Sequence, residues 1–401
     1  MGELMARDTY VADVTLFDGL RVRRRQGVLL EGDRITWVGS HVRAPRPARA
    51  ARAVEGSGRT LTPGLVDCHV HLNFDGGPDF AAEAAEMNLA LATIKATVNV
   101  GKHLAAGVTT VRDLGGLGTC ELARAIDRGV VPGSRLVAAG RALTVTGGHG
   151  HNVAFAREVD GADAVRRAVR EEIKAGARAI KVVATGGVLT PGIGATFTAF
   201  TPEEIGAAVD EAHSWGRGVA AHAIGAEGVT GSVRAGVDSV EHCVQLTRPT
   251  AALMAERGTF RGPTLSAAFG MLEHPGEVPD YALEKISSVV DDAERAQALA
   301  LRAKVRHVCS TDAGTPFNPH GGAPRELARL VAWGMRPLDA MVAATSSGAE
   351  LLRMPEVGHV REGALADLAL YDANPVDDIV ALRHPRTVWK GGEVVAGRMP
   401  R

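Results

Sequence analysis

The chain has 401 residues, 45% of them apolar and 23% charged, an ordinary globular composition that excludes disorder or fibrous structure as an account of the whole. Lysine plus arginine number 45 against 46 aspartate plus glutamate, and the resulting net charge of −1 lacks the basic excess of a nucleic-acid or membrane-surface partner. Aromatic residues at 4% offer no stacking platform for bases, and no apolar run approaches the roughly 18 residues of a membrane span.

Met1 to Tyr10 carries charges and lacks the apolar core of a signal peptide. Strand-like runs follow at Val11 to Phe17, Val28 to Leu30 and Ile35 to Val38, the last two separated by the turn residues Gly32-Asp33. A linker rich in Ala, Arg and Pro spans Arg43 to Gly58. From about Gly358 the strand pattern returns, with Leu368 to Tyr371, then Val388 to Lys390 turning at Gly391-Gly392 into Val394-Val395. The two ends therefore predict one small β-sandwich domain made of residues 1–60 and 356–401.

Between them, over 61–355, short apolar runs alternate with helical stretches, the signature of βα units and a parallel sheet. Eight strands are predicted: Leu65 to His71, Thr109 to Leu114, Arg135 to Ala139, Ala179 to Ala184, Val219 to Ala223, Ser239 to His242, Thr259 to Leu265 and His307 to Asp312. Helices are predicted over Ala81 to Leu104, Ala162 to Ala175, Thr201 to about Trp215 behind a capping box, Tyr281 to Arg306 and Ala323 to Trp333. The expected fold is α/β, a (β/α)8 TIM barrel. A doubly wound open sheet would want a Gly-rich phosphate turn after an early strand, and none stands in that context.

A barrel of this kind works at the C-terminal ends of its strands, and polar residues gather there. Strand one ends in His69-Val70-His71, whose spacing of two puts both imidazoles on one face, either as ligands of one ion or as two solvated histidines. Lys181 sits inside an apolar strand, where it either snorkels, pairs with a carboxylate, or is neutral and able to capture carbon dioxide as a carbamate. His222 and His242 end strands five and six; singly each reads equally as a core histidine. Asp312 ends strand eight and could simply cap a turn. Six such residues on five strands make coincidence a poor explanation, and they point to a metal site.

With those residues in place, the chain resembles the amidohydrolase superfamily, in its binuclear subtype with a carboxylated lysine. The flanks from Leu61 to His71, Ala221 to Gly228 and Gly236 to His242 match too. Gly147 to Gly150 and Thr315 to Gly322 make it most similar to the imidazolonepropionase-related branch of metal-dependent prolidases, Xaa-Arg carboxypeptidases and ochratoxin-type amidases. The resemblance implies that His69, His71 and Asp312 hold the more buried cation, that His222 and His242 hold the second, and that the Lys181 carbamate bridges them with a hydroxide. Nitrogen and carboxylate ligands without thiolate suit Zn2+, with Co2+ or Mn2+ also fitting. Cys68 and Cys243, each beside a ligand, should point to the opposite face and serve in packing.

The implied reaction is hydrolysis of an amide bond in a dipeptide or N-acyl amino acid, with Asp312 as general base and then acid. His149 is expected at the substrate by the same resemblance, with a solvated loop histidine as the plain alternative; nothing carries over to His151. Asp113 would either orient a ligand histidine or form a salt bridge. Thr185 to Phe200 and Ala267 to Asp280 are expected as mobile flaps, and Arg141 or Arg325 as an anchor for a substrate carboxylate. Three other readings exist. A carbamate, urea or lactam hydrolase would use the same cations. A mononuclear deaminase would need a Glu three residues after His222, where Gly225 stands. A non-enzymatic scaffold would have lost ligands that this chain keeps. The four widely spaced cysteines, Cys68, Cys120, Cys243 and Cys309, read as reduced thiols of a cytoplasmic protein. The partners expected are a small-molecule substrate and further copies of the chain in a homo-oligomer, with no nucleic acid and no membrane.

Overall fold

A computed structural model describes residues 8–399. The chain is a mixed α/β protein with parallel sheets at its centre. One runs through Leu65–Val70, Val108–Asp113 and Arg135–Ala138; the other takes up Ala156–Glu158, Ala142–Thr144, Ala179–Val183, Gly218–Ala223, Ser239–His242, Phe260–Gly262 and Arg306–His307, in that spatial order. Backbone hydrogen bonds connect the two sheets at both margins. The Arg178 amide donates to the Ala138 carbonyl at 2.8 Å, and the Cys68 amide donates to the Cys309 carbonyl at 2.8 Å. Helices stand between most successive strands, though none separates Arg135–Ala138, Ala142–Thr144 and Ala156–Glu158.

The helices follow from local chemistry. Pro202–Ser214 opens on the predicted capping box, in which the Thr201 hydroxyl accepts from the Glu204 amide and the Glu204 carboxylate accepts from the Thr201 amide. Ala162–Ala175 buries Val165, Ala168, Val169 and Glu172 on one face and ends at Gly176, whose φ of 115° is a left-handed stop. The helix expected over Ala81 to Leu104 is two, Phe80–Ala85 and Leu89–Ala105, because Asn88 caps the second by accepting from the Ala90 and Leu91 amides. The helix expected to reach Arg306 stops at Arg302; Lys304 turns left-handed and Arg306 is already a strand residue.

The sequence overstates the last two parallel strands. The seventh is Phe260–Gly262, cut short by Pro263 and by a helix beginning at Leu265. The eighth is only Arg306–His307, beyond which Cys309 to Ala313 is held by bonds to the first strand, the Asp312 amide donating to the His69 carbonyl and the His71 amide to the Ala313 carbonyl, both at 2.8 Å. Leu265–Leu272 is also a correction to the second expected flap, whose first half is helix.

The chain ends join in a single hydrogen-bonded sheet of eight strands. Thr60–Pro63 lies between Leu368–Tyr371 and Thr9–Phe17, and Val22–Glu31 with Arg34–Ser40 makes the predicted hairpin. Its core, with Val11, Leu16, Val28, Ile35, Leu370 and Trp389, draws on both ends. Arg135 grips Asp367 at 2.6 and 3.1 Å and fixes this sheet against the parallel strands. No helix among the described residues is long and apolar enough to cross a membrane.

Candidate metal centre

His69, His71, His222, His242 and Asp312 sit at or beyond the C-terminal ends of parallel strands, Lys181 sits within the strand Ala179–Val183, and all six converge. His69, His71 and Asp312 bring one donor atom each within 4.8 Å of one another. Asp312 Oδ1 lies 3.3 Å from His69 Nε2 and 3.2 Å from His71 Nε2. Lys181 Nζ is 3.4 Å from His69 Nε2. The His69 and His242 rings are 5.5 Å apart between centroids, and those of His242 and His222 are 4.4 Å apart. All six residues expected as ligands therefore lie in one cluster.

The hydrogen bonds fix which nitrogen of each ring is available. His71 Nδ1 donates to the Gly115 carbonyl at 3.3 Å, which leaves Nε2 turned to the cluster. His69 Nε2 pairs with Lys181 Nζ at 3.4 Å, and its Nδ1 faces Glu241 Oε2 at 3.2 Å. His222 Nε2 donates to the Gly186 carbonyl at 2.7 Å, leaving Nδ1. His242 Nδ1 pairs with the Thr264 hydroxyl at 2.7 Å. Asp312 Oδ1, buried and without a hydrogen-bond partner, thus faces the Nε2 atoms of both His69 and His71. Two imidazole nitrogens and a carboxylate oxygen converging in this way form a donor set that fits a metal ion.

Burial sets the protonation states. It holds His69, His222 and His242 well below the usual imidazole value, with Lys181, His242 and His69 respectively the next contributors, so all three rings are neutral and able to ligate. Against the upward push of burial, His69 and His71 hold the Asp312 carboxyl below its usual range, which keeps it ionised. Burial brings Lys181 down to about 8, so a usable fraction of the amine is neutral near physiological pH. Backbone strain gathers here as well: His242, Cys243, Thr264 and Asp312 are non-glycine residues with φ of 65°, 51°, 54° and 57°. Such conformations cost roughly 1–2 kcal/mol each and cluster at functional sites.

The amidohydrolase family profile matches residues 60–395, which includes every residue of the cluster. The chain belongs to the amidohydrolase family. With that membership goes the reaction class, hydrolysis of a C–N bond. The chain is 33% identical to ochratoxinase of Aspergillus niger over 412 aligned positions, covering 93% of this chain and 83% of that one. It superposes with a TM-score of 0.88 and 31% identity on a Xaa-Pro dipeptidase with methionine bound in the active site, covering 96% of this chain and 99% of that one. A prolidase complexed with N-methylphosphonate-L-proline gives a TM-score of 0.88 at 31% identity, over 98% and 100% of the two chains.

Around the cluster, the amidohydrolase keeps a charged layer that the sequence reading missed. Arg112, buried, donates to the Cys68 carbonyl at 2.7 Å, to Ser239 Oγ at 3.0 Å and to Glu241 Oε1 at 2.8 Å. Glu241 then meets His69 with its second oxygen. Asp67 accepts from the Thr311 hydroxyl at 2.7 Å and the Thr311 amide at 3.1 Å, tying strand one to the segment that carries Asp312. Asn318 completes that segment, donating to the Thr311 and Asp312 carbonyls at 2.8 and 2.9 Å. The signal for the charged layer was Arg112 itself, a guanidinium in the middle of a buried strand, which requires a carboxylate.

His149 is at the centre: its ring is 4.8 Å from that of His222, and Nδ1 pairs with the Thr190 hydroxyl at 2.8 Å. Gly187 packs so closely on it that a Cβ there would meet His149 Nε2 at 2.3 Å. Burial brings His149 down to about 4, so its ring is neutral. His151, in contrast, is exposed and lies outside both cavities beside the cluster. Asp113 neither touches a ligand imidazole by hydrogen bond nor forms a salt bridge; it accepts from the Leu72 and Gly115 amides at 2.8 and 3.3 Å and so shapes the turn after His71. Arg141 is engaged by Glu172 at 3.3 Å, and neither it nor Arg325 lines either cavity. Cys68 packs with Val66, Phe260 and Val308, and Cys243 joins the apolar core around Val240, as expected of residues facing away from the ions.

Proposed function

We propose that the chain is a binuclear metal-dependent hydrolase that cleaves the amide bond of a dipeptide or N-acyl amino acid. The convergence of the His69, His71 and Asp312 donor atoms, with Lys181 beside them, carries this reading. His69, His71 and Asp312 would hold one divalent cation, His222 and His242 the other, and Lys181, carboxylated by carbon dioxide, would span both. Zn2+ suits this oxygen and nitrogen set best, with Co2+ or Mn2+ as alternatives. When bound, the cations supply a water acidified toward neutrality and a Lewis acid for the carbonyl. Asp312 takes the proton of the attacking water on its carboxylate and passes it to the leaving nitrogen. His149, neutral and held by Thr190, contacts the substrate beside the scissile bond. The relatives named for ochratoxin, Xaa-Pro and prolidase activity support an amide whose nitrogen belongs to an amino acid.

On the same reading, the two parallel sheets form one closed (β/α)8 barrel over 61–355, supported by the hydrogen bonds at both margins. The sheet from 1–60 and 356–401 folds over its apolar core as a sandwich. Four buried, unpaired cysteines support a reducing, cytoplasmic setting. The substrate is a small molecule, and the working form is a homo-oligomer. The test loads purified protein with Zn2+ in bicarbonate and follows amine release from dipeptides and N-acyl amino acids, with Lys181→Ala as control. Turnover of a defined class, lost in the variant, is expected; silence with no bound metal would sink the assignment.

A further inference from the structure

Two cavities open from the cluster, on opposite sides of it. The first, of about 110 Å3, lies over the strands late in the chain and is walled by Val244, Pro263, Met271, Ile286, Val289 and Ala293. The second, of about 70 Å3, lies over the early strands and is walled by Phe80, Leu114, Ala142, Val153, Phe155 and Val183. His149, Leu189, His222 and Thr315 line both, so the two spaces meet at the centre. His242 and Asp312 face the first, His71 and Lys181 the second. A bond attacked between these groups must send its two halves into different cavities. Outside the centre, aliphatic and aromatic residues make up most of both walls, with Thr264 the polar member of the first and Asn152 and Thr190 those of the second.

The walls are built rather than incidental. Ile286, Val289 and Ala293 share one face of the helix Asp280–Arg302 and pack with Met271 and Val244 in a satellite core of their own. Lys285, one turn away, does not enter the cavity: its ammonium donates to the Gly187 and Thr190 carbonyls at 3.3 and 2.6 Å and pins the loop between the two cavities. On the other side the Phe155 ring packs on His71, with centroids 5.4 Å apart, and stands edge-on to Phe74. An apolar space of about 150 Å3 is known to hold one benzene ring; the first cavity, at about 110 Å3 and continuous with the centre it shares with the second, approaches that size, and the second, at about 70 Å3, suits a branched aliphatic chain.

We propose that the substrate carries an apolar group on each side of the scissile bond, an aryl-sized one in the cavity walled by Met271 and Ile286 and a branched alkyl-sized one in the cavity walled by Phe155 and Val183. This rests on the amide-hydrolase reading and narrows it to amides apolar at both ends. Specificity is two-sided, and each side is set by its own residues.

The experiment uses the full chain loaded with Zn2+ in bicarbonate. Four substrates combine a small or large acyl group with a small or large amino acid: N-acetylglycine, N-acetylleucine, N-benzoylglycine and N-benzoylleucine. Burying each large group should raise kcat/KM about tenfold or more, from the area it removes from water. Ala268→Phe and Ala156→Phe fill the first and second cavities at half-buried positions. Each should abolish the gain from bulk at one end of the substrate and leave the gain at the other end. Binding of the same compounds is read in parallel by calorimetry. Turnover without a gain from bulk, or two variants acting on the same end, overturns the two-cavity assignment and leaves the reaction intact. Two-sided binding with no turnover of any compound upholds the cavities and sinks the amide reading. Neither binding nor turnover overturns both.

Discussion

Replacing Glu241 by glutamine changes one atom of a buried side chain and tests how the metal ligands are held. Glu241 is fully buried, with Oε1 accepting from Arg112 Nη2 at 2.8 Å and from Ser239 Oγ at 2.6 Å, and Oε2 at 3.2 Å from His69 Nδ1. A carboxamide has one accepting and one donating end. With its oxygen toward Arg112, its NH2 group meets the His69 N–H, and that proton moves to Nε2, the atom that faces Asp312 and His71. With its oxygen toward His69, its NH2 group meets the guanidinium, which is then buried without a counter-charge. Either arrangement takes the carboxylate's charge from its hydrogen bond with the buried Arg112 guanidinium, about 1.5–3 kcal/mol. Loss of a carboxylate that orients a ligand histidine typically costs 10- to 100-fold in metal affinity.

Glu241→Gln should therefore lower the stability of metal-free protein by about 2 kcal/mol in denaturant titration. It should also weaken Zn2+ binding roughly 10- to 100-fold in competition with a chelator. Arg112→Met separates the two effects. It leaves the His69 contact in place but strands a buried carboxylate, so stability should fall by about 3–5 kcal/mol with a smaller change in affinity. Wild-type Zn2+ affinity in Glu241→Gln would refute the orienting role, whatever happened to stability.

Four further outcomes are expected. Lys181→Ala should bind fewer metal ions than the wild type by elemental analysis and lose turnover; two ions still bound would remove the lysine from the bridge. Because burial places Lys181 at about 8, its neutral fraction rises from roughly a tenth at pH 7 to a half at pH 8. Reconstitution of metal-free enzyme at fixed dissolved carbon dioxide should then speed up about fivefold across that interval, and a flat profile would contradict the carbamate. Asp312→Asn should lower kcat by about 100- to 10,000-fold, the usual range for a lost acid–base group, and full activity with metal content intact would exclude the proton-carrying role. Gly187→Ala puts a methyl 2.3 Å from His149 Nε2 and must push that ring aside. kcat/KM should drop at unchanged metal content; unchanged kinetics would show that the placement of His149 does not matter.

The cluster was legible because strand periodicity and apolar runs say where a strand ends, and the ends carry His69, His71, His222, His242 and Asp312. What the sequence could not show traces to the backbone departing from strand rules. Alternation would place Glu241 and His242 on opposite faces. Ser239 and Glu241 do share a face, as their 2.6 Å hydrogen bond requires, and both look toward Arg112. His242, however, adopts a φ of 65°, which breaks the alternation and turns its ring back to the centre that Glu241 already faces. Asp312 does the same at 57°, so the run expected as strand eight is strand only at Arg306–His307 and is afterwards shaped by Asp67, Thr311 and Asn318. Reading rules assign left-handed backbone first to glycine, and glycine stands at neither position. The strain lets an acid and the histidine that follows it both reach one side-chain cluster, which regular strand geometry forbids. The charged layer follows from the same departure, since an orienting carboxylate beside His69 can come from the residue adjoining a ligand only where the chain turns left-handed at that ligand.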